Sequence, residues 1–73
     1  MNNLKAERLK MGWSQERLAK ETGVSRTSIA RYEAETQQPT MKNARLLASG
    51  LGKSVDEVFG GDDNQDDQEE GAK

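Results

Sequence analysis

The chain has no cysteine and no histidine in its 73 residues. The first absence removes disulfides and thiolate metal sites. The second removes the side chain that most often serves as general base or metal ligand near neutral pH. No run of about 18 apolar residues occurs, so nothing reads as a membrane-spanning helix. The segment Met1–Arg8 lacks the apolar stretch of a signal peptide, and the expectation is a cytoplasmic protein. There is a single proline and no alternating apolar pattern, so no strand is called for. Acids occur throughout, but none stands with a base or metal partner in a way that marks a catalytic site. A chain this short also has little room for a substrate cavity, which argues against an enzyme.

What remains is charge, unevenly placed. The net charge is −2. Residues 60–73 hold six acids and one lysine, a net of −5, whereas residues 1–59 hold ten bases and seven acids, a net of +3. The acidic segment offers one alanine to bury and nothing larger. Such a composition does not offset its ordering entropy, so the expectation is a folded domain over 1–59 and a disordered acidic tail over 60–73.

The folded part reads as five short helices. The first covers about 4–11 and ends at Gly12, with Leu4, Arg8 and Met11 on one face and Leu9 beside it. An arginine on an apolar face requires a partner. Ser14 is a natural N-cap for the second helix, with Trp13 and Leu18 at the spacing of a hydrophobic staple. Leu18 and Ala19 face inward, and Gly23 ends the helix in a left-handed conformation. Ser25 caps the third helix, at about 25–34. In it Ile29 is buried, Tyr32 packs in part, and Arg26, Thr27, Ser28, Ala30 and Arg31 face outward. Pro39 and Thr40 open the fourth, with a stripe of Met41, Ala44, Leu47, Ala48 and Leu51 that Gly52 stops. Ser54 to Glu57 is a capping box opening the last.

Residues 15–32 carry the pattern of a helix-turn-helix, with Ala19, Gly23 and Ile29 at its fifth, ninth and fifteenth places. With Arg8, Ser14-Gln15, Leu18, Val24-Ser25, Tyr32-Glu33, Pro39, Leu51 and Ser54–Glu57 in register, residues 4–59 resemble the Cro/cI-type, or xenobiotic-response-element, helix-turn-helix family of phage repressors and small bacterial regulators. The resemblance implies an all-α, lambda-repressor-like bundle of five short helices whose third helix enters the major groove of DNA. It also implies a buried ion pair, at the places held by Arg8 and Glu33.

The chain departs from that family pattern in three ways. Glu35 stands where glycine is usual, so that turn is to be strained or rebuilt, with an acid near the path of the phosphates. Thr36-Gln37-Gln38 lacks the usual cations. Gly50 and Lys53 replace residues that are usually apolar or alanine, which predicts looser packing at the end of the fourth helix.

A helix-turn-helix lays its second helix across the backbone and turns the start of the third toward base edges. Arg26, Thr27 and Arg31 are the expected base readers, since arginine grips guanine bidentately and threonine offers a methyl and a hydroxyl to thymine. Gln15, Ser25, Ser28, Thr40, Lys42 and Asn43 are the expected phosphate contacts. The partner is then double-stranded DNA carrying a near-palindromic operator, bound by a weak homodimer through some of Leu46, Val55, Val58 and Phe59. No cofactor, metal or small-molecule ligand is expected. The competing expectation is a protein-interaction module of the same fold, an antitoxin or anti-repressor with little DNA affinity of its own. Residues 62–70 folding back over the basic face are a further expectation.

Overall fold

The computed structural model describes residues 2–60. The expectation of a disordered tail therefore falls almost wholly outside the described residues. Five helices follow in order: α1 (Leu4–Lys10), α2 (Gln15–Thr22), α3 (Arg26–Ala34), α4 (Met41–Leu51) and α5 (Val55–Phe59). No strand occurs among the described residues, and none of their helices is long and apolar enough to cross a membrane.

Caps set most of the boundaries. Ser14, Ser25, Thr40 and Ser54 each accept a backbone N–H from three residues ahead, satisfying one of the donors that open a helix. Ser54 and Glu57 complete a reciprocal capping box. At α1 the device differs: Asn3 gives no side-chain cap, and Asn2 Oδ1 accepts from Leu4 N at 3.1 Å instead. Gly23 and Gly52 end α2 and α4 with φ of 81° and 71°. Glu35 ends α3 at φ 61°, the single non-glycine residue of positive φ among those described, so the turn keeps its left-handed form at a cost in strain.

One core joins all five helices: Leu4, Leu18, Val24, Ile29, Tyr32, Leu47, Ala48, Leu51 and Val58, with Trp13, Ala19, Val55 and Phe59 packed against it. Two of the expected stripes are narrower in the fold. Met11 and Met41 are 45% and 58% exposed, because each lies at a helix end, past the edge of the neighbouring layer. The interior face of α1 is therefore Leu4 and Arg8, and that of α4 begins at Ala44.

The expected loosening at the end of α4 does not occur. A Cβ on Gly50 would fall inside contact with the Thr22 methyl, so glycine is what lets α4 and α2 approach. Lys53 reaches back to α1, its Nζ 3.9 Å from Glu7 Oε1. The N-terminal segment closes the bundle: Asn3 donates from its backbone to Val58 O at 2.7 Å and from its side chain to Glu57 O at 3.1 Å.

Candidate nucleic-acid interface

The position of α3 follows from what holds its inner side. Ile29 and Tyr32 sit in the core, and the helix packs against α2 and α1. Its C-terminal half is tied by charge. Arg8 Nε donates to Glu33 Oε2 at 2.7 Å and Arg8 Nη2 to Glu33 Oε1 at 3.0 Å. The third nitrogen, Nη1, donates to Trp13 O at 2.7 Å. The Glu33 hydrogen bond holds the Arg8 guanidinium above its ordinary range, with desolvation opposing and the carboxylate's charge assisting. Trp13 itself lies on the core with the Arg17 guanidinium 5.0 Å above its ring, a cation–π arrangement.

With the inner side fixed, Arg26, Thr27 and Arg31 are left exposed along α3. The charge of the two arginines is not committed to any carboxylate among the described residues. Arg8, Lys10, Arg17 and Lys53 each pair with a carboxylate. Among the described residues Arg26, Arg31 and Lys42 have no such partner, and neither do Lys5, Lys20 and Arg45. Long forked donors kept out of internal pairs suit an anionic, hydrogen-bonding partner.

The side chains expected on phosphates are more constrained than the sequence suggests. Gln15 is half-buried and donates its amide to Glu33 Oε1 at 3.0 Å, so what α2 can offer an anion at that point is chiefly the backbone N–H groups of its first turn. Ser25 Oγ accepts from Ser28 N at 3.1 Å and donates to Ser28 Oγ at 3.0 Å, which leaves the Ser28 proton to give. Thr40 Oγ1 accepts from Asn43 N at 3.1 Å and keeps its own proton. Asn43 Nδ2 donates to the Tyr32 hydroxyl at 2.9 Å. Lys42 is exposed.

Of the side chains expected on a dimer surface, Val58 is corrected: it is wholly buried, because the first residues of α1 and the body of α4 close over it. Val55 and Phe59 are half-buried against the core, and Leu46 is 38% exposed. Sequence reasoning missed Asn2, which donates from Nδ2 to Tyr32 O at 3.0 Å and from its backbone to Glu35 Oε2 at 3.3 Å. It also missed the Gln15–Glu33 and Asn43–Tyr32 bonds. No local pattern announces contacts that span 11 to 33 residues.

A family model described as helix-turn-helix matches residues 4–58. No curated protein matches the chain.

Proposed function

The chain belongs to the Cro/cI-type helix-turn-helix family of DNA-binding regulators, which is not a family of enzymes, and from that we infer a sequence-specific transcriptional repressor that acts in the cytoplasm. In this reading residues 1–59 form the DNA-binding domain and 60–73 an acidic appendage. The third helix enters the major groove. Arg26 and Arg31 read base edges, at least one of them at a G·C pair, and Thr27 lies between them. Lys42, Thr40, Ser25 and Ser28, with Gln15 through its backbone N–H, hold phosphates on either side, while Asn43, its amide given to the Tyr32 hydroxyl, takes no phosphate in this reading.

The observation that supports this best is the division of labour on α3. Its inner side is locked by the core and by Arg8, while its outer arginines are exposed and without carboxylate partners among the described residues. One domain reads one half-site. Two copies on a near-palindromic operator, centred about 34 Å apart, supply useful affinity. Leu46, Val55 and Phe59 are the side chains proposed for their contact.

Selection from random duplex tests the reading. The expected product is a site with two-fold character whose binding weakens steeply with salt, as counterion release requires. Alanine at both Arg26 and Arg31 is expected to change the preferred sequence. Recovery of no preferred duplex at low salt would favour the protein-interaction module instead.

A further inference from the structure

The candidate base readers stand on α3, and Thr40 and Lys42 stand at the start of α4. The two helices scarcely pack on one another: α3 leans on α1 and α2, and α4 on α2 and α5. A duplex is rigid on this scale. A helix in the groove and a second element on the backbone fit together only at one separation, since backbone contacts set the register in which bases are read. Apolar packing holds both helices in one close-packed core but carries no direction of its own.

Among the described residues one side-chain hydrogen bond joins α3 to α4, from Asn43 Nδ2 to the Tyr32 hydroxyl at 2.9 Å. Both partners are anchored. Tyr32 is 2% exposed, and its backbone carbonyl accepts from Asn2 Nδ2 at 3.0 Å. Asn43 occupies the first turn of α4, and its backbone N–H is fixed on the Thr40 cap. A phenylalanine would fill the same core volume. What the hydroxyl adds is a directional link whose length is set within a few tenths of an ångström.

We propose that Tyr32 is a positioning residue for DNA recognition. Acting through Asn43, its buried hydroxyl holds the first turn of α4 at the distance from α3 at which Lys42 meets a phosphate while Arg26 and Arg31 meet bases. This rests on the DNA-binding reading above and deepens it. Tyr32 touches no DNA itself, and its effect falls on the complex in which both grips must close together.

The test uses the full chain, a duplex obtained by selection and a scrambled duplex of the same length. Dissociation constants are measured by fluorescence anisotropy for the wild type, Tyr32→Phe, Asn43→Ala and the double variant, with melting temperatures alongside. Each single change is expected to weaken the selected duplex about three- to tenfold, the scale of one hydrogen bond, and the scrambled duplex by under about twofold. The double variant is expected to lose no more than the worse single one. If Asn43→Ala melts below the assay temperature, Asn43→Ser takes its place. A Tyr32→Phe chain that melts earlier yet keeps the wild-type ratio of selected to scrambled affinity overturns the proposal, and so do two single losses that multiply in the double variant. A wild type that prefers no duplex strikes the DNA-binding reading itself. A discriminating wild type with equally discriminating variants strikes the positioning role alone.

Discussion

Arg8 and Glu33, 25 residues apart in the chain, meet through two parallel hydrogen bonds of 2.7 and 3.0 Å with side chains only 9% and 5% exposed. Gln15 adds a third donor to the same carboxylate, and Trp13 takes the remaining arginine nitrogen. Helix α1, the turn before α2 and the end of α3 thus share one polar knot at the edge of the core. Such a knot contributes specificity of arrangement more than net stability, because desolvation offsets much of the attraction.

Breaking one side of it is therefore costly. Glu33→Ala leaves the Arg8 guanidinium nearly buried without its counterion, at a cost of about 3–5 kcal/mol. A domain of this size holds roughly 3–9 kcal/mol in all. Urea unfolding is expected to find the single variant largely destabilised. Arg8→Met combined with Glu33→Leu is expected to recover most of the loss, since no charge is then buried.

An exposed helix glycine replaced by alanine usually gains about 1 kcal/mol. Gly50→Ala is expected to do the reverse and cost about 1–3 kcal/mol, because the new methyl meets the Thr22 methyl across the α2–α4 contact. Thr22→Ser keeps the hydroxyl that donates to Leu18 O at 2.8 Å and accepts from Val24 N at 3.2 Å while removing the obstructing carbon. The pair Thr22→Ser with Gly50→Ala is expected to melt well above Gly50→Ala alone in thermal scans.

Glu35 sits at φ 61° and its carboxylate accepts from Asn2 N, so strain and a tertiary contact oppose each other there. Comparing Glu35→Gly with Glu35→Ala isolates the strain, since both lose the carboxylate. The glycine variant is expected to be the more stable by about 1 kcal/mol in chemical denaturation. Equal stabilities would mean the turn relaxes without a left-handed residue.

The Glu57 carboxylate lies below its ordinary range, chiefly through the Ser54 backbone N–H, then the Ser54 hydroxyl, with Lys53 assisting. A depressed folded-state value stabilises the fold above the unfolded-state value, near 4.3, and that contribution is lost as pH falls through the folded-state value. Urea midpoints of the wild type and Glu57→Gln are therefore expected to differ at pH 6 and to converge as the pH drops below about 4.

The six acids in residues 60–73, and the cations of α3 and α4 that have no carboxylate partner among the described residues, lead to one more expectation. Removing residues 60–73 is expected to tighten duplex binding at about 50 mM salt and to matter far less at about 200 mM, as screened attraction requires. An effect of the same size at both would show that the acidic segment does not compete for the cationic face.

The elements were legible wherever their causes were local. Ser14, Ser25, Thr40 and Ser54 announce their helices because a cap acts over three residues. Gly23 and Gly52 announce their ends because a left-handed residue needs no partner. Met11 and Met41 misled for the same local reason: helical periodicity says which side a residue shares, not whether a neighbour extends far enough to cover it. Val58 could be assigned to a surface only because nothing in α5 itself shows that α1 and α4 close over it.

The sequence by itself determined the five helices, the family, the Arg8–Glu33 partnership implied by that family, and the outward run of Arg26, Thr27 and Arg31. Each depends on spacing within one helix or on the pattern of the family. Only the tertiary structure decided which polar groups are already spent. Gln15 is bound to Glu33, Asn43 to Tyr32 and Asn2 to the end of α3, because hydrogen bonds between distant segments depend on where packing brings their donors. What is left for DNA is the remainder after those internal bonds are made.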